Sequence, residues 1–175
     1  MLKSNSATQA TAATLRFRQP TAEDGYALNQ LVAASPPLDT NSVYCNLLHC
    51  THFANTAVAA EEDGKLVGFI SAHIIPAKPN TVFVWQVVVD KSQRGRGLAK
   101  KMLKEVIKRP ACTEVKYMET TITPDNEASW ALFRSFARDL DTELNHSIWF
   151  EKETHFGGQH DSEALLCIGP FAQEI

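Results

Sequence analysis

The chain has 175 residues, of which 44% are hydrophobic and 21% charged, enough for a globular unit with a sizeable core. Its net charge of −3 and pI of about 6.1 give no basic footprint for nucleic acid, and its apolar runs stop far short of the roughly 20 residues that span a bilayer. The first residues carry no apolar stretch of a secretory signal, so a soluble cytoplasmic protein without membrane or nucleic-acid partners is expected.

Met1 to Thr14 is rich in Ser, Thr, Ala, Asn and Gln and reads as a flexible leader, followed by one domain over 15–175. Leu15-Arg16-Phe17-Arg18 alternates as a strand does, and Pro20 to Asp24 opens a helix whose apolar residues run from Tyr26 to Val32. Pro36-Pro37 stops it. A second helix is expected from about Asn41 to His52. Strands near Ala57 to Glu61 and Lys65 to Ile75 flank the turn signal Glu62-Asp63-Gly64. Pro76 to Asn80 separates them from the apolar strand Val82 to Val89. Leu98, Met102, Leu103, Val106 and Ile107 form the apolar stripe of a helix ending before Pro110. A strand at Tyr117 to Thr123, a helix bearing Trp130, Leu132, Phe133 and Phe136, and strands near Ser147 to Phe150 and Leu165 to Ile168 complete the chain. Cys45, Cys50, Cys112 and Cys167 include no Cys-x-x-Cys pair and read as reduced structural thiols, not as a disulfide frame or a metal site; no metal is expected.

The most informative stretch is Val87-Val88-Val89-Asp90-Lys91-Ser92-Gln93-Arg94-Gly95-Arg96-Gly97-Leu98-Ala99-Lys100. A buried strand runs into a basic, glycine-rich turn that opens a helix. Glycines let backbone N–H groups approach phosphate oxygens, and the helix start adds unpaired N–H groups and a positive dipole end. Neither Gly-x-x-x-x-Gly-Lys-Ser/Thr nor Gly-x-Gly-x-x-Gly is present, which sets aside the common nucleoside triphosphate and dinucleotide loops. The motif Arg94-x-x-Gly97-x-Ala99 instead resembles the acyl-CoA loop of the GCN5-related N-acetyltransferases.

The order of elements is similar to that family's across nearly the whole chain after the leader. The resemblance implies an α/β (α+β) fold with a central mixed, mostly antiparallel sheet flanked by helices and splayed at the acyl-CoA strand. It implies acetyl-CoA as cosubstrate, with Val87, Val88 and Val89 along the pantetheine and Arg94, Gly95, Arg96, Gly97, Leu98, Ala99 and Lys100 around the pyrophosphate. Asn126, Ser129 and Phe133 correspond to the family's second cofactor patch; without the resemblance, Asn126 would be read as a helix cap and Phe133 as core. Many family members carry a Tyr at Phe133 that protonates the leaving thiolate. Phe133 cannot, so another group, water or direct thiolate departure must serve, and a thiol of pKa near ~8.5 leaves acceptably.

Three further clusters bear on the acceptor: Leu38-Asp39-Thr40-Asn41-Ser42-Val43-Tyr44, Trp85, and Gly157-Gly158-Gln159-His160-Asp161-Ser162-Glu163. Together they resemble the diaminobutyrate acetyltransferases, which make the N-acetyl precursor of the compatible solute ectoine. The implied reaction is acetyl transfer to the γ-amine of L-2,4-diaminobutyrate by a homodimeric enzyme. A zwitterionic diamine needs a carboxylate, which Asp39 offers, a hydroxyl donor, which Thr40 or Tyr44 offers, and a wall or an indole N–H, which Trp85 offers; His160 is a further substrate-binding candidate. Each residue has a plainer reading: Asp39 or Thr40 as a helix cap, Trp85 as core, His160 as a local hydrogen-bonding group, and Glu163 as a solvated carboxylate.

The reaction expected is direct attack in a ternary complex. Keeping an amine of pKa near ~10 neutral around physiological pH costs about 3–4 kcal/mol, so a base is needed, and His160 and Glu163 are its candidates. The backbone N–H at Val87 is the candidate oxyanion donor. Cys45 and Cys50 rank lower as acyl-enzyme nucleophiles because neither has a His-Asp/Asn frame. An acetyltransferase for another amine or a protein N-terminus, or a non-catalytic acyl-CoA sensor, would share the loop.

Overall fold

The computed structural model describes residues 14–172; nearly all of the expected leader lies outside them. The elements follow the expected order, with β1 (Leu15–Arg18), α1 (Asp24–Ala33), α2 (Val43–Cys50), β2 (Val58–Glu62), β3 (Lys65–Ile75), β4 (Lys78–Val89), α3 (Leu98–Ile107), β5 (Tyr117–Ile122), α4 (Glu127–Asp139), β6 (Leu144–Phe150), α5 (Lys152–Phe156) and β7 (Glu163–Ile168). Helix α2 is shorter than expected at both ends; it starts at Val43 because Ser42 caps it, accepting a hydrogen bond from the Cys45 N–H at 3.1 Å. The expected separator after Ile75 shrinks to a tight reversal, since Lys78 already pairs with Ile75. Helix α5 was not expected: its five residues carry no apolar stripe, and it ends at Gly157, whose φ of 58° lies in the left-handed region.

The seven strands lie in the order β1-β2-β3-β4-β5-β7-β6, every pair antiparallel except β4 with β5. This is the mixed, mostly antiparallel sheet that the resemblance implies. Alternation along β2 divides the core in two. Val58 and Ala60 face a cluster built on Met102 and Leu103 of α3 and Phe133 and Phe136 of α4. Ala57 and Ala59 face a smaller cluster with Leu28, Leu31 and Val32 of α1 and Cys50 of α2.

Strand β4 changes partners along its length. Thr81 to Val84 pair with Tyr117 to Thr120 of β5, but β4 runs on to Val89 paired only with β3. The register shifts at this point: Val84 lies opposite Ala72 and Gln86 opposite Ser71, leaving Trp85 as an extra residue. The inserted residue reverses which side chains face which core. Val82 and Val84 belong to the α3/α4 cluster, Val88 to the α1/α2 cluster, and Val87 and Val89 again pack toward α3 and α4.

An arginine near the first edge ties three elements. Arg18 donates through Nη1 and Nη2 to the two Asp24 carboxylate oxygens, each at 2.7 Å, and through Nε to Glu61 at 2.7 Å. Arg16 donates to the other Glu61 oxygen at 2.8 Å. Burial raises the Asp24 pKa, but the hydrogen bonds from Arg18 and the Thr21 N–H more than offset it and hold that carboxyl below its usual range. Arg18 likewise lowers Glu61.

Both carboxyls are depressed in the folded state, so their contribution is present above the ordinary carboxylate pKa and is lost as pH falls through it. Arg18→Gln should therefore cost about 1–3 kcal/mol at pH 7, with the gap from wild type closing below about pH 4, as read by urea unfolding across pH.

Candidate active site

Residues after β4 build a loop whose shape follows from its hydrogen bonds. The Asp90 N–H donates to the Val67 carbonyl at 2.8 Å, and the Asp90 carboxylate accepts from the Ser92 N–H at 2.9 Å and hydroxyl at 2.6 Å. Buried Gln93 anchors the turn by donating to Glu62 at 2.6 Å. Gly97 precedes α3 with φ of 73°, and no side chain caps the helix, so the first N–H groups of α3 face the cleft. Helix α3 is seated closely on the sheet: a Cβ at Gly68 of β3 would come within 3.0 Å of Met102.

A cleft of about 500 Å³ opens between this loop and α4. Its walls include Val87, Val89, Arg94, Gly95, Gly97, Leu98, Ala99 and Lys100, with Asn126 and Ser129 from the start of α4. Asp90 N–H points to β3, so by alternation the backbone groups of Val87 and Val89 point into the gap left by β5, and the Val89 carbonyl accepts from Arg94 Nε at 3.3 Å. Lys100 is held at the cleft by Ser135 at 3.0 Å and by Asp139 at 3.1 Å, and Lys104 reaches the same Asp139 at 3.2 Å. Asn126 both lines the cleft and caps α4, accepting from the Ser129 N–H at 3.1 Å. Two expected loop contacts lie elsewhere. Val88 is paired with Phe69 and buried in the opposite core, and Arg96 turns back to Gln93 at 2.5 Å and Glu62 at 3.9 Å.

A second cleft of about 270 Å³ adjoins the first, and the two share Pro37, Leu38, Val87, Asn126 and Ser129. Asp39, Trp85, Gln86, Phe133 and Glu163 line it, with Thr121 and Thr123 past the end of the β4–β5 pairing. Phe133 is buried and presents only ring surface. His160 stands beside this cleft, its Nε2 3.7 Å from Asp39 and 4.0 Å from Glu163, while Nδ1 lies 2.7 Å from the Asp161 carbonyl. A carbonyl only accepts, so Nδ1 carries a hydrogen and Nε2 is the ring nitrogen turned toward the two carboxylates. The ring is backed by Phe156 of α5 at 4.7 Å, so the unexpected helix helps to hold it.

Thr40 and Tyr44 line neither cleft, and Tyr44 is 70% exposed. Thr40 is an accessible residue of the segment leading into α2 and Tyr44 an accessible residue of its first turn, and Ser42 has taken the capping role. Gln86 and the threonines of β5 are site residues that the sequence reading missed; the available signal was a lone amide inside the apolar run Val82 to Val89. His49 lines neither cleft but lies behind Trp85. Its buried ring is tilted against Trp85 at 4.3 Å and Phe53 at 5.5 Å, and burial, helped by nearby His73, lowers its pKa to about 4. The indole thus rests on a neutral imidazole.

None of the four cysteines lines either cleft. Burial raises all four thiols, Cys50 to about 12 and Cys112 to about 11, which removes the thiolate an acyl-enzyme would need. Among the described residues no group of three or more His, Cys, Asp or Glu is placed to hold a metal ion, and no helix is long and apolar enough to cross a membrane. The first cleft, with its free backbone groups, open helix start and cations, suits an extended anionic ligand. The second, with two carboxylates and an amide, suits a small cation.

Residues 26–137 match the model of the acetyltransferase (GNAT) family. The chain is 51% identical over 157 residues to the L-2,4-diaminobutyric acid acetyltransferase of Methylotuvimicrobium alcaliphilum, covering 90% of this chain and 91% of that protein. It is 45% identical over 161 residues to the enzyme of the same name from Halomonas elongata, covering 91% and 83%. Among solved structures, it is similar to the diaminobutyrate acetyltransferase EctA from Paenibacillus lautus in complex with its substrate L-2,4-diaminobutyric acid and coenzyme A. That likeness has a TM-score of 0.87 at 38% identity, over 94% of this chain and 99% of that one.

The His49 environment makes a pH prediction. Its folded pKa lies below the unfolded value of about 6.5, so the unfolded chain takes up the proton first and stability is lost as pH falls from 6.5 toward 4. His73, also lowered by burial, adds to the same slope. His49→Leu should flatten that loss while leaving stability at pH 7.5 within about 1 kcal/mol of wild type, because His49 Nδ1 has no hydrogen-bond partner to lose; urea melts at pH 5 and 7.5 measure both.

Proposed function

The chain belongs to the acetyltransferase (GNAT) family, and on that basis we propose that it transfers acetyl from acetyl-CoA to the γ-amine of L-2,4-diaminobutyrate, giving the N4-acetyl precursor of ectoine. One observation carries the reading: the anionic-ligand cleft and the carboxylate-lined cleft meet at Val87, where β4 has left β5. Acetyl-CoA fits the first cleft by its chemistry. The outward backbone groups of Val87 and the Val89 N–H match the amides of the pantetheine arm, and Arg94, Lys100 and the open start of α3 match the pyrophosphate.

Asp39 and Glu163 attract the ammonium groups of the diamine, and Trp85 walls the site. The reacting nitrogen must give up a proton before it attacks the thioester carbon. His160 Nε2 accepts it, directly or through water, and the imidazolium formed lies between Asp39 and Glu163, which stabilise it. The Val87 N–H opposes the charge that develops on the thioester oxygen. The carbon–nitrogen bond forms as the carbon–sulfur bond breaks, and the proton that the nitrogen sheds on becoming an amide passes through water to the departing CoA thiolate, since Phe133 offers no hydrogen. Raised thiol pKa values at all four cysteines support direct transfer in a ternary complex over an acyl-enzyme.

The catalytic unit is taken to begin at Leu15, where β1 starts. We place it in the cytoplasm, in keeping with cysteines that are thiols and not disulfides. A homodimer is part of the proposal, and the exposed Ile148 and Trp149 on the outermost strand β6 offer apolar area for it.

CoA release from acetyl-CoA, followed side by side with 2,4-diaminobutyrate, ornithine, lysine and spermidine, should favour diaminobutyrate, with NMR placing the acetyl group on the γ-nitrogen. Preference for another amine would overturn the acceptor, and binding without turnover would overturn the enzyme. Asp39→Asn should raise the KM for diaminobutyrate about tenfold, a loss of roughly 1.4 kcal/mol in binding, while leaving that for acetyl-CoA unchanged.

A further inference from the structure

Asp39 sits in the connection between α1 and α2, with no strand beside it, and its side chain is 86% exposed. A carboxylate on such a segment is a poor anchor unless its backbone is fixed. The fixing contacts come from one side chain. Gln86 Nε2 donates to the Asp39 carbonyl at 3.1 Å, and Gln86 Oε1 accepts from Asn41 Nδ2 at 3.0 Å. Asn29 of α1 closes the arrangement by donating to the Asn41 carbonyl at 2.8 Å.

We infer that Gln86 is the positioning residue that holds Asp39 over the acceptor cleft and thereby sets affinity for the diamine; this rests on the function proposed above. A primary amide is suited to the task because it presents one donor and one acceptor in a single planar fork, whereas a carboxylate cannot donate and an aliphatic chain can do neither. Its location adds to the case. Gln86 directly follows the extra residue Trp85 and directly precedes Val87, so one dipeptide carries both the clamp on Asp39 and the backbone donor at the meeting point of the clefts. The spacing between the diamine's anchor and the thioester is therefore fixed within one strand.

Gln86→Leu is the test. It should raise the KM for diaminobutyrate about tenfold while the KM for acetyl-CoA and the dissociation constant of CoA stay within about twofold. Amide hydrogen exchange over residues 38–42 should quicken in the free protein, and in an Asp39→Asn background the substitution should change the diamine KM by less than about twofold. Asn41→Ala, which removes only one arm of the clamp, should give the same pattern at about threefold, and serves if Gln86→Leu does not fold. An equal rise in both KM values, full multiplicative effects in the double variant, or unchanged exchange over 38–42 would overturn the inference. The exchange measurement needs no substrate, so a wild-type protein indifferent to diaminobutyrate would overturn the proposed function separately.

Discussion

Where β4 leaves β5, the sheet gives up a row of backbone hydrogen bonds, and the rest of the site is organised around that loss. Buried backbone groups without partners are costly, so a strand that is unpaired on one side within a domain needs something else to pair with. Val84 is the last residue of β4 matched to β5, and its carbonyl also accepts from the Thr120 hydroxyl at 2.9 Å, which finishes the ladder. Beyond it, Trp85 is inserted and the strand turns its next free edge toward the start of α4. A ligand bearing amides of its own is the natural partner for that edge, as in the familiar addition of an extended chain to a sheet.

The gap persists because both faces of β4 are pinned. Val82 and Val84 are held by α3 and α4, while Val88 is held by α1 and α2, so the strand cannot swing across to close against β5 without emptying one core or the other. The close seat of α3 on Gly68 fixes the helix start relative to the same strand. Cofactor cleft, acceptor cleft and loop are thus referred to one rigid element, which gives the sub-ångström placement that acyl transfer needs.

Most of the fold was legible in the sequence because its signals are local. Apolar spacing from Leu98 to Ile107, the Glu62-Asp63-Gly64 turn and the strand running into Arg94-x-x-Gly97 each declare themselves within a dozen residues. Helix α5 did not, since five residues without an apolar stripe give no periodic signal and its formation follows from capping and from contact with β6. The site was legible where residues lie along β4 and its loop. It was misread where facing matters. A one-residue insertion at Trp85 decides that Val88 points away from the cleft, and period-two alternation cannot reveal an insertion that only the partner strand defines. Thr40 and Tyr44 were inferred from a string in which Leu38, Asp39 and Asn41 line the cleft and the other residues do not. Gln86 escaped notice because its partners, Asp39 and Asn41, lie 47 and 45 residues away.

The shared carboxylate at the outer end of the cofactor cleft has a kinetic meaning. Asp139 holds Lys100 at 3.1 Å and Lys104 at 3.2 Å, and these two lysines keep its carboxyl below the usual range. A phosphate drawing Lys100 toward itself would leave Asp139 still paired with Lys104, so no anion is stranded when a ligand arrives. When the ligand departs, Lys100 has its former partner waiting. Arrival and departure become an exchange of partners along a short line of charges, with a low barrier in both directions. For a protein whose spent ligand differs from the fresh one only at the far thiol end, easy exchange at the phosphate end favours rapid turnover over tight retention.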